Sequence, residues 1–373
     1  KLLLFNKKAN KNDKEEVFFL FDKVINQEEF DLNEFFYTEV INYSLYAYNS
    51  KIEGTWIKNI FHKNDAYQTP IVLNPFRREG IIDVNSENDL IFQRLLSNIL
   101  RKHDDSNGFR NLGDNLKANE IVVSKKLKPV KESVYYENFR NSKIIDEVKI
   151  RETNTYFLAE KLIASFLVKE VIHKDILSLV IEHSKSYITY KTLSIVTKYN
   201  EYKKYFNPIE KSLYEKKINL LIKQLIKDNS HITFKLKQTL NYLKHNHIKY
   251  NPNKNENISI LELSNNIDGL KNPESGIMTL LPAPIFAIDL KLITINGKYE
   301  EVIFNLLSSG EKQLIYSINS LFYHLINLYS VFNSSDEEKI SYNKINIILE
   351  EIELYFHPDF QRKYVNLLIE GLK

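Results

Sequence analysis

The order of apolar and polar residues predicts mixed secondary structure in the first third of the chain. Acidic and aromatic residues alternate over residues 15–50, which predicts one or two helices leading into a strand near Tyr43–Tyr48. A strand, a proline-broken turn and a short second strand are predicted over residues 69–83. Residues 89–100 have helical periodicity, whereas the polar, glycine- and asparagine-rich residues 102–119 predict an exposed loop.

Helices are predicted to dominate from about residue 145 to residue 248, where strong breakers are rare. One helix there has an apolar stripe at helical spacing, made of Tyr214, Ile218, Leu221 and Leu225. Strands are predicted to return afterwards. Phe286–Thr294 alternates, Asn296-Gly297 is a good hairpin turn, and Glu300–Asn305 forms the second strand.

Composition narrows the class of protein. The 373 residues include 43% apolar and 12% aromatic residues, enough to build a sizeable core, so a wholly disordered chain is excluded. No apolar run approaches the roughly 18 residues of a membrane span. The absence of cysteine excludes disulfides, thiolate metal sites and cysteine catalysis. These features lead us to expect a cytoplasmic protein. The net charge of +3 gives no support by itself to nucleic-acid binding.

The residues Leu306–Gln313 (LLSSGEKQ) follow the predicted hairpin and precede a long amphipathic run. A serine- and glycine-containing turn that opens a helix presents unpaired N–H groups and the positive end of the helix dipole. Such a turn can bind an anion, and a nucleotide phosphate is an obvious one. An ordinary serine N-cap with Glu311 in the first turn explains the same residues. The turn alone leaves both interpretations open.

A second chemical feature lies about thirty residues further on. Lys344–Leu349 (KINIIL) is predicted to be a buried strand of a parallel sheet, and Glu350 and Glu351 follow it directly. Ligands of α/β proteins bind at the carboxyl ends of such strands. There, Glu350 can hold the water shell of Mg²⁺ and Glu351 can polarise an attacking water molecule.

Together, these two features resemble the C-terminal lobe of ABC-type ATPase heads, particularly the SMC- and RecF-like branch that includes many phage-defence ATPases. Leu307–Glu311 matches the signature motif, with Lys312-Gln313 continuing it as in that branch, and Ile345–Glu351 matches the Walker B strand. Glu353–Pro358, which includes His357, matches the D-loop. The resemblance covers about residues 305–373.

The resemblance implies an α/β fold of the ABC-ATPase type that binds ATP and Mg²⁺ and works as a head-to-tail dimer. Its site residues would be Glu351 and His357 for catalysis, Glu350 for Mg²⁺, and, for the nucleotide, Ser308, Ser309, Gly310, Glu311 and Gln313. It further implies an N-terminal α/β portion over residues 1–144, a basic helical lid or arm over 145–257, and a C-terminal lobe over 258–373.

The chain departs from the family pattern in several places. Gly108 and Gly113 have P-loop spacing, but Asp114-Asn115 follows where lysine and serine or threonine are required. Neither a P-loop nor a switch histidine is present, so we expect a piece of a longer protein. Glu350 stands where the family usually has aspartate. Gln68 is a candidate for the glutamine that contacts magnesium in this family.

The helical segment is rich in lysine, and Lys216, Lys223 and Lys227 fall opposite its apolar stripe. They form either a solvated face or a patch that follows the phosphate backbone of DNA or RNA. Nearby, His245 and His247 have no acidic partners in the sequence and are predicted to be surface residues rather than metal ligands.

Three functions follow as hypotheses. The first is an ATPase that couples hydrolysis to DNA sensing or to an effector protein, as in anti-phage defence. The second is a nucleotide-gated scaffold with weak hydrolysis that assembles a nuclease or toxin partner. The third is a DNA-repair or chromosome-organising ATPase. None of the three involves a membrane.

Overall fold

A computed structural model describes most of the chain. The described residues are 2–9, 17–25, 36–44, 47–61, 70–77, 79–102, 108–113, 115–126, 155–209, 212–270, 276–295, 300–332, 342–351, 356 and 358–371. They form a mixed α/β structure with several sheets.

The described strands are, in chain order, β1 (Leu2–Ala9), β2 (Val17–Ile25), β3 (Phe36–Asn42), β4 (Ile71–Asn74), β5 (Leu116–Lys125), β6 (Phe206–Asn207), β7 (Ser212–Leu213), β8 (Glu256–Ser259), β9 (Phe286–Thr294), β10 (Glu301–Ile303) and β11 (Lys344–Glu350). The described α-helices are α1 (Val84–Ile99), α2 (Thr155–Leu167), α3 (Ser178–Lys198), α4 (Ile218–Lys227), α5 (His231–His245), α6 (Ile260–Leu270), α7 (Ser309–Phe332) and α8 (Pro358–Gly371). No helix among them is long and apolar enough to cross a membrane.

Contacts divide the chain into two compact units, one of residues 1–83 and 324–354, the other of residues 84–323 and 355–373. This division says nothing about the three functional segments expected from the sequence, which stay a prediction. We describe each unit by itself.

The first unit contains a three-stranded parallel sheet in the order β11-β3-β4 and an antiparallel pair, β1-β2. β3 is the central strand, and six of its seven side chains are buried, as expected for a parallel strand covered on both faces. Val40 packs with Ile57, Phe61 and Leu73 in one apolar cluster. A second cluster consists of Tyr37, Val72, Leu328 and Tyr342.

The predicted strand at 344–349 is present as β11, and it pairs in parallel with β3 as expected. The prediction that it is buried is wrong. Its side chains are exposed or half-buried, and Ile345 and Ile348 are 38% and 48% exposed. The reason is its position, because β11 is an edge strand of the described sheet and has a neighbour on one side only.

The second unit is built on an antiparallel sheet in the order β10-β9-β5-β8. The hairpin predicted around residue 297 is confirmed, since β9 and β10 pair antiparallel; its turn lies outside the described residues. One continuous apolar core joins this sheet to the helices, with Leu95 and Leu96 of α1, Ile121 of β5 and Leu240 of α5 all within 2% of complete burial.

The helical region is confirmed over its described part. Helices α2 to α5 lie between residues 155 and 245. Leu221 and Leu225 of the predicted stripe are buried and Ile218 is half-buried, because all three face the core on α4. Tyr214 precedes the helix and is 38% exposed.

Three early predictions are wrong. Residues 17–25 form strand β2 rather than a helix, β3 ends at Asn42 rather than occupying residues 43–48, and β5 begins at Leu116, inside the predicted loop. Each of these strands is set by its pairing partner: β2 by β1, β3 by β11 and β4, and β5 by β9. Such long-range pairing overrides local polarity and periodicity.

Candidate functional site

Glu350 lies at the carboxyl end of the parallel sheet, where the last residue of β11 is directly opposite Asn42, the last residue of β3. The Asn42 side-chain Nδ2 donates a hydrogen bond to Glu350 Oε2 at 2.9 Å. The hydroxyl of Tyr48, in the segment after β3, donates to the same oxygen at 2.5 Å. Two strand ends and one loop therefore hold a single exposed carboxylate.

Arg77 fixes the segment that follows β3. Its side chain is 2% exposed, and its guanidinium donates to the carbonyl oxygens of Ser44 at 2.5 Å and Asn42 at 2.7 Å. The same guanidinium lies 5.8 Å from the centre of the Tyr48 ring. The Ser44 backbone N–H donates to Asn42 Oδ1 at 2.7 Å, which fixes the amide that contacts Glu350. A buried cation thus orders both donors to Glu350.

These contacts keep Glu350 ionised. The hydrogen bonds from Tyr48 and then from Asn42 lower the pKa of Glu350, because both stabilise the carboxylate form. Burial, together with the hydrogen bond to Glu350, raises the pKa of Tyr48 above the ordinary range, so its hydroxyl remains a donor. Magnesium is often held by one or two carboxylates with waters and phosphates as the other ligands, and Glu350 fits that kind of site.

The backbone on both sides of this carboxylate is strained. Glu351 has φ 51° and Tyr48 has φ 56°, the left-handed region that side chains other than glycine rarely adopt. Each such residue costs on the order of 1–3 kcal/mol, and such strain clusters at functional sites. Glu351 is exposed, and it directly follows the last residue of β11.

The residues that resemble the signature motif lie in the second unit, at the start of α7. Ser308 and Glu311 form a capping box, in which the Ser308 backbone N–H donates to Glu311 Oε2 at 2.9 Å and the Glu311 N–H donates to Ser308 Oγ at 3.3 Å. The predicted helix cap is therefore present. The N–H groups of Ser309 and Gly310 are in the first turn, where a helix offers no partner of its own, so the phosphate-binding interpretation stays a prediction.

Gly310 also has a packing role. A Cβ added at this position would lie 3.3 Å from Cε2 of Phe360 on α8. Gln313 follows one turn into α7 and is half-buried. The absence of a side chain at Gly310 thus lets α8 approach the first turn of α7.

Lys216, Lys223 and Lys227 are all exposed. Lys223 and Lys227 line a cavity of about 390 Å³ whose other lining residues are Glu201, Tyr202, Gln224 and Asp228. Tyr202 donates a short hydrogen bond to the Asp228 carboxylate. Two of the three lysines thus share their surroundings with two acidic residues, a feature that the linear pattern did not reveal. Their role in nucleic-acid binding stays a prediction.

The two histidines predicted at the surface differ from each other. His247 is 8% exposed, and its Nε2 is 2.9 Å from the Leu280 carbonyl oxygen, so the surface prediction is wrong for this residue. Burial explains the difference, because the residue follows the left-handed C-cap Asn246 and turns into the core. Among the described residues, no group of three or more metal-binding side chains occurs.

Several predicted residues cannot be placed. His357, Gln68 and most of residues 353–358, the predicted D-loop, lie outside the described residues. Glu350 and Glu351 are consecutive in the first unit, whereas Ser308–Gln313 belongs to the second. Asn42 and Tyr48 were missed, because the strand that ends at Asn42 was predicted several residues too late and its carboxyl end was therefore misplaced. Arg77 was missed although the strand before it was predicted within residues 69–83, because its partners are backbone carbonyls that follow another strand.

Comparison with known proteins gives no relative. Neither a scan against protein-family models, nor a search of curated proteins, nor a search of solved structures returned a match.

Proposed function

We propose that this chain is the hydrolytic part of an ABC-type ATPase head of the SMC- and RecF-like branch. The observation that carries the proposal is Glu350, ionised and held by Asn42 and Tyr48 at the carboxyl end of a parallel strand, with Glu351 beside it. Carboxylates in this position are suited to nucleotide-bound magnesium. The motif resemblance at residues 305–373 supports the same conclusion.

Each group then has a defined task. When bound, ATP and Mg²⁺ supply the transferable phosphoryl group and its charge neutralisation. Glu350 would hold the water shell of the metal ion, and Glu351 would accept a proton from the attacking water. The backbone N–H groups of Ser309 and Gly310 would bind the phosphate held by a second protomer, while Gln313 and His357 would complete the site by analogy with the family.

Mutation of Glu351 tests this proposal. In the intact protein, Glu351→Gln should retain ATP binding and lower Mg²⁺-dependent turnover by roughly 10²-fold or more, because the general base is lost. Glu370→Gln, an equal charge change on α8, should keep the parent's turnover. Unchanged turnover in Glu351→Gln would remove this carboxylate from the mechanism.

A second function, a nucleotide-gated scaffold with weak hydrolysis, is favoured by one specific observation. Glu350 is a methylene longer than the usual aspartate, and its Oε2 already accepts two hydrogen bonds. Tight ATP binding with turnover no higher than in Glu351→Gln would support this function.

In either case the protein acts as a head-to-tail dimer with an effector, a nuclease or toxin, as its further partner. We keep anti-phage defence as the setting and a cytoplasmic location.

A further inference from the structure

The two outer strands of the parallel sheet in the first unit differ in how their edges are covered. β4 is covered, because the Leu73 backbone N–H donates to the Ile60 carbonyl oxygen at 2.7 Å and a β-bridge joins Phe61 to Leu73. β11 pairs with β3 along its whole length, and in the described part of the chain no strand pairs with its other edge. The sheet thus has one protected edge and one open edge.

β11 lacks the features that keep an edge strand from pairing with another chain. Such features are proline, a β-bulge, a very short strand or charges within the strand. β11 has seven residues, contains no proline and pairs with β3 without a break in register. Its charged residues, Lys344 and Glu350, are its first and last. Ile345 and Ile348 are exposed on opposite faces of the strand. An apolar edge of this kind is suited to adding a further strand.

The sequence of β11 is complementary to itself when two copies run antiparallel. Residues opposite each other in an antiparallel pair have the same hydrogen-bonding direction, and this direction alternates along each strand. A symmetric pair of two such edges is therefore centred on a residue. Centring on Ile347 places Lys344 opposite the partner's Glu350 at both ends of the pair, and Ile345 opposite the partner's Leu349. A shift of the centre by one residue in either direction removes both charge pairs.

Both charged ends of β11 are available for this contact. Lys344 is exposed and forms no ion pair with any described residue. Glu350 accepts the hydrogen bonds of Asn42 and Tyr48 at Oε2, and its Oε1 accepts none from the residues that the structure describes. Opposite charges directly across a strand pair stabilise the pair, and like charges destabilise it. The register centred on Ile347 is therefore favoured over its neighbours.

We propose that β11 is a self-association edge, through which two copies of this chain pair antiparallel about a twofold axis at Ile347. The two parallel sheets then form one continuous sheet. Twofold symmetry is the commonest arrangement of homo-oligomers, and it makes each favourable contact occur twice. The partner's Lys344 at Glu350 Oε1 occupies the space that the proposed function gives to the water shell of magnesium, so this dimer belongs to the nucleotide-free protein. The pairing uses no residue of the second unit and does not depend on the proposed function.

The first experiment measures dimerisation by sedimentation velocity over a range of concentrations, without nucleotide. The unmodified chain should form a dimer as its concentration rises. Lys344→Glu and Glu350→Lys each place like charges opposite each other at both ends, so each should raise the Kd of the dimer roughly 10-fold or more. An equal mixture of these two variants should dimerise like the parent, because both ends of the mixed dimer again pair a lysine with a glutamate. Lys58→Glu, the same charge change at an exposed lysine of the first unit, is the control and should keep the parent's Kd.

Three outcomes of this experiment would overturn the proposal. One is a monomer at every concentration of the unmodified chain. Another is a Lys344→Glu dimer as strong as that of the parent, which would place self-association on a different surface. The third is a mixture of Lys344→Glu and Glu350→Lys that dimerises no better than either variant alone, although circular dichroism shows both to be folded.

A second measurement reports the register and leaves the charges of β11 unchanged. The chain contains no cysteine, so a single introduced one has no other thiol in its own chain. Ile347 lies opposite its own counterpart in the proposed pair, with Cβ atoms about 4.5–5.5 Å apart, near the spacing of a disulfide. Ile347→Cys should therefore form a disulfide-linked dimer under mild oxidation. Ile345→Cys lies on the same face but roughly 13 Å from its counterpart, and it should stay unlinked.

Non-reducing electrophoresis reads this result directly. No linked dimer in Ile347→Cys, or equal linkage in Ile345→Cys, would contradict the proposed pair. ATP turnover plays no part in either experiment, so failure here leaves the proposed function standing.

Discussion

Glu350 depends on Tyr48 for its low pKa. Tyr48→Phe removes the stronger of the two hydrogen bonds to the carboxylate, so the pKa of Glu350 should rise toward its ordinary value of 4.5. A carbon-detected NMR titration of the carboxyl group measures this directly. Tyr214→Phe, at an exposed tyrosine on the other unit, is the matched control and should leave the Glu350 titration unchanged.

The same change affects stability at acid pH. Because folding lowers the pKa of Glu350, its contribution to stability is present above pH 4.5 and is lost as the pH falls through the folded-state pKa. Tyr48→Phe should therefore make the acid-side loss of unfolding free energy shallower. An unshifted titration of Glu350 in this variant would show that Tyr48 does not hold the carboxylate.

His247 gives a second pH dependence, with its own cause. The neutral imidazole donates from Nε2 to the Leu280 carbonyl, while its Nδ1 is buried without a partner, so burial lowers its pKa to about 4. In the unfolded chain His247 titrates near pH 6.5. Between pH 6.5 and 4 the unfolded state therefore binds a proton at this residue, whereas the folded state keeps the imidazole neutral. Stability should fall over this range, by up to about 1.4 kcal/mol per pH unit from this residue.

Replacing the imidazole tests this origin. His247→Gln keeps a donor for the Leu280 carbonyl and cannot be protonated, so urea unfolding between pH 6.5 and 4 should show a shallower decline than in the parent chain. Some decline will remain, because His231 also has its pKa lowered to about 4 by burial. An identical slope in parent and variant would rule out His247 as a source of the acid sensitivity.

Single residues were predictable from the sequence when their chemistry was local. The cap formed by Ser308 and Glu311 depends on spacing alone, and it is present. The environment of Glu350 depends on Asn42 and Tyr48, about 300 residues earlier in the chain. A linear pattern contains no information about which strand end will lie opposite another, so these donors could be found only from the parallel register.

At the scale of elements, two variants at the start of α7 distinguish helix capping, which is present, from phosphate binding, which is a prediction. Ser309→Arg should preserve stability, because Ser308 and Glu311 supply the cap. It should prevent ATP-dependent dimerisation of the intact protein on size exclusion, since a long side chain fills the space that a phosphate needs. Ser308→Ala is the complementary variant and should cost about 1 kcal/mol of unfolding free energy.

Ser309→Arg should lose dimerisation and keep stability, whereas Ser308→Ala should lose stability. Either result can therefore contradict the separation of phosphate binding from capping. Normal ATP-dependent dimerisation in Ser309→Arg would mean that residues 308–310 serve only as a helix cap. Full stability in Ser308→Ala would mean that the capping box contributes little to the stability of α7.

Elements with strong local periodicity were predicted well. The helix predicted at 89–100 is α1, the hairpin is β9 and β10, and the amphipathic run after the signature is α7. Elements set by pairing were predicted poorly. The polar start of β5 is a strand because β9 pairs with it from Leu116 onward. Apolar β11 suggested burial, yet its edge position leaves it exposed, because burial depends on neighbours rather than on composition.

At the scale of the whole molecule, the units are discontinuous in sequence. The first is completed only when residues 324–354 return to place β11 beside β3. The sequence predicted segments that are consecutive along the chain, because a change from helical to strand patterns can only mark where one segment ends and the next begins. Parallel pairing across some 300 residues is the kind of contact that such a shift cannot reveal.

A mixing experiment tests the head-to-tail dimer as a whole. In that arrangement each site takes its carboxylates from one protomer and its signature turn from the other. Ser309→Arg and Glu351→Gln proteins should each be nearly inactive alone. In a mixed dimer, however, the Ser309→Arg subunit still has Glu351 and the Glu351→Gln subunit still has Ser309. These two intact residues meet in one of the two sites, so that one site is active.

Equal mixing makes half of the dimers mixed, so ATP turnover should recover to roughly one quarter of the parent value, given a symmetric two-site dimer. The control is a protein carrying both substitutions, mixed with an equal amount of parent. Both sites of every mixed dimer are then inactive, and only one quarter of all dimers are parent dimers. Turnover per total protein should therefore be about a quarter of the parent value. Absence of recovery on mixing the single variants, after confirmed subunit exchange, would show that Glu351 and Ser309 act within one protomer or that Ser309 is not part of the site.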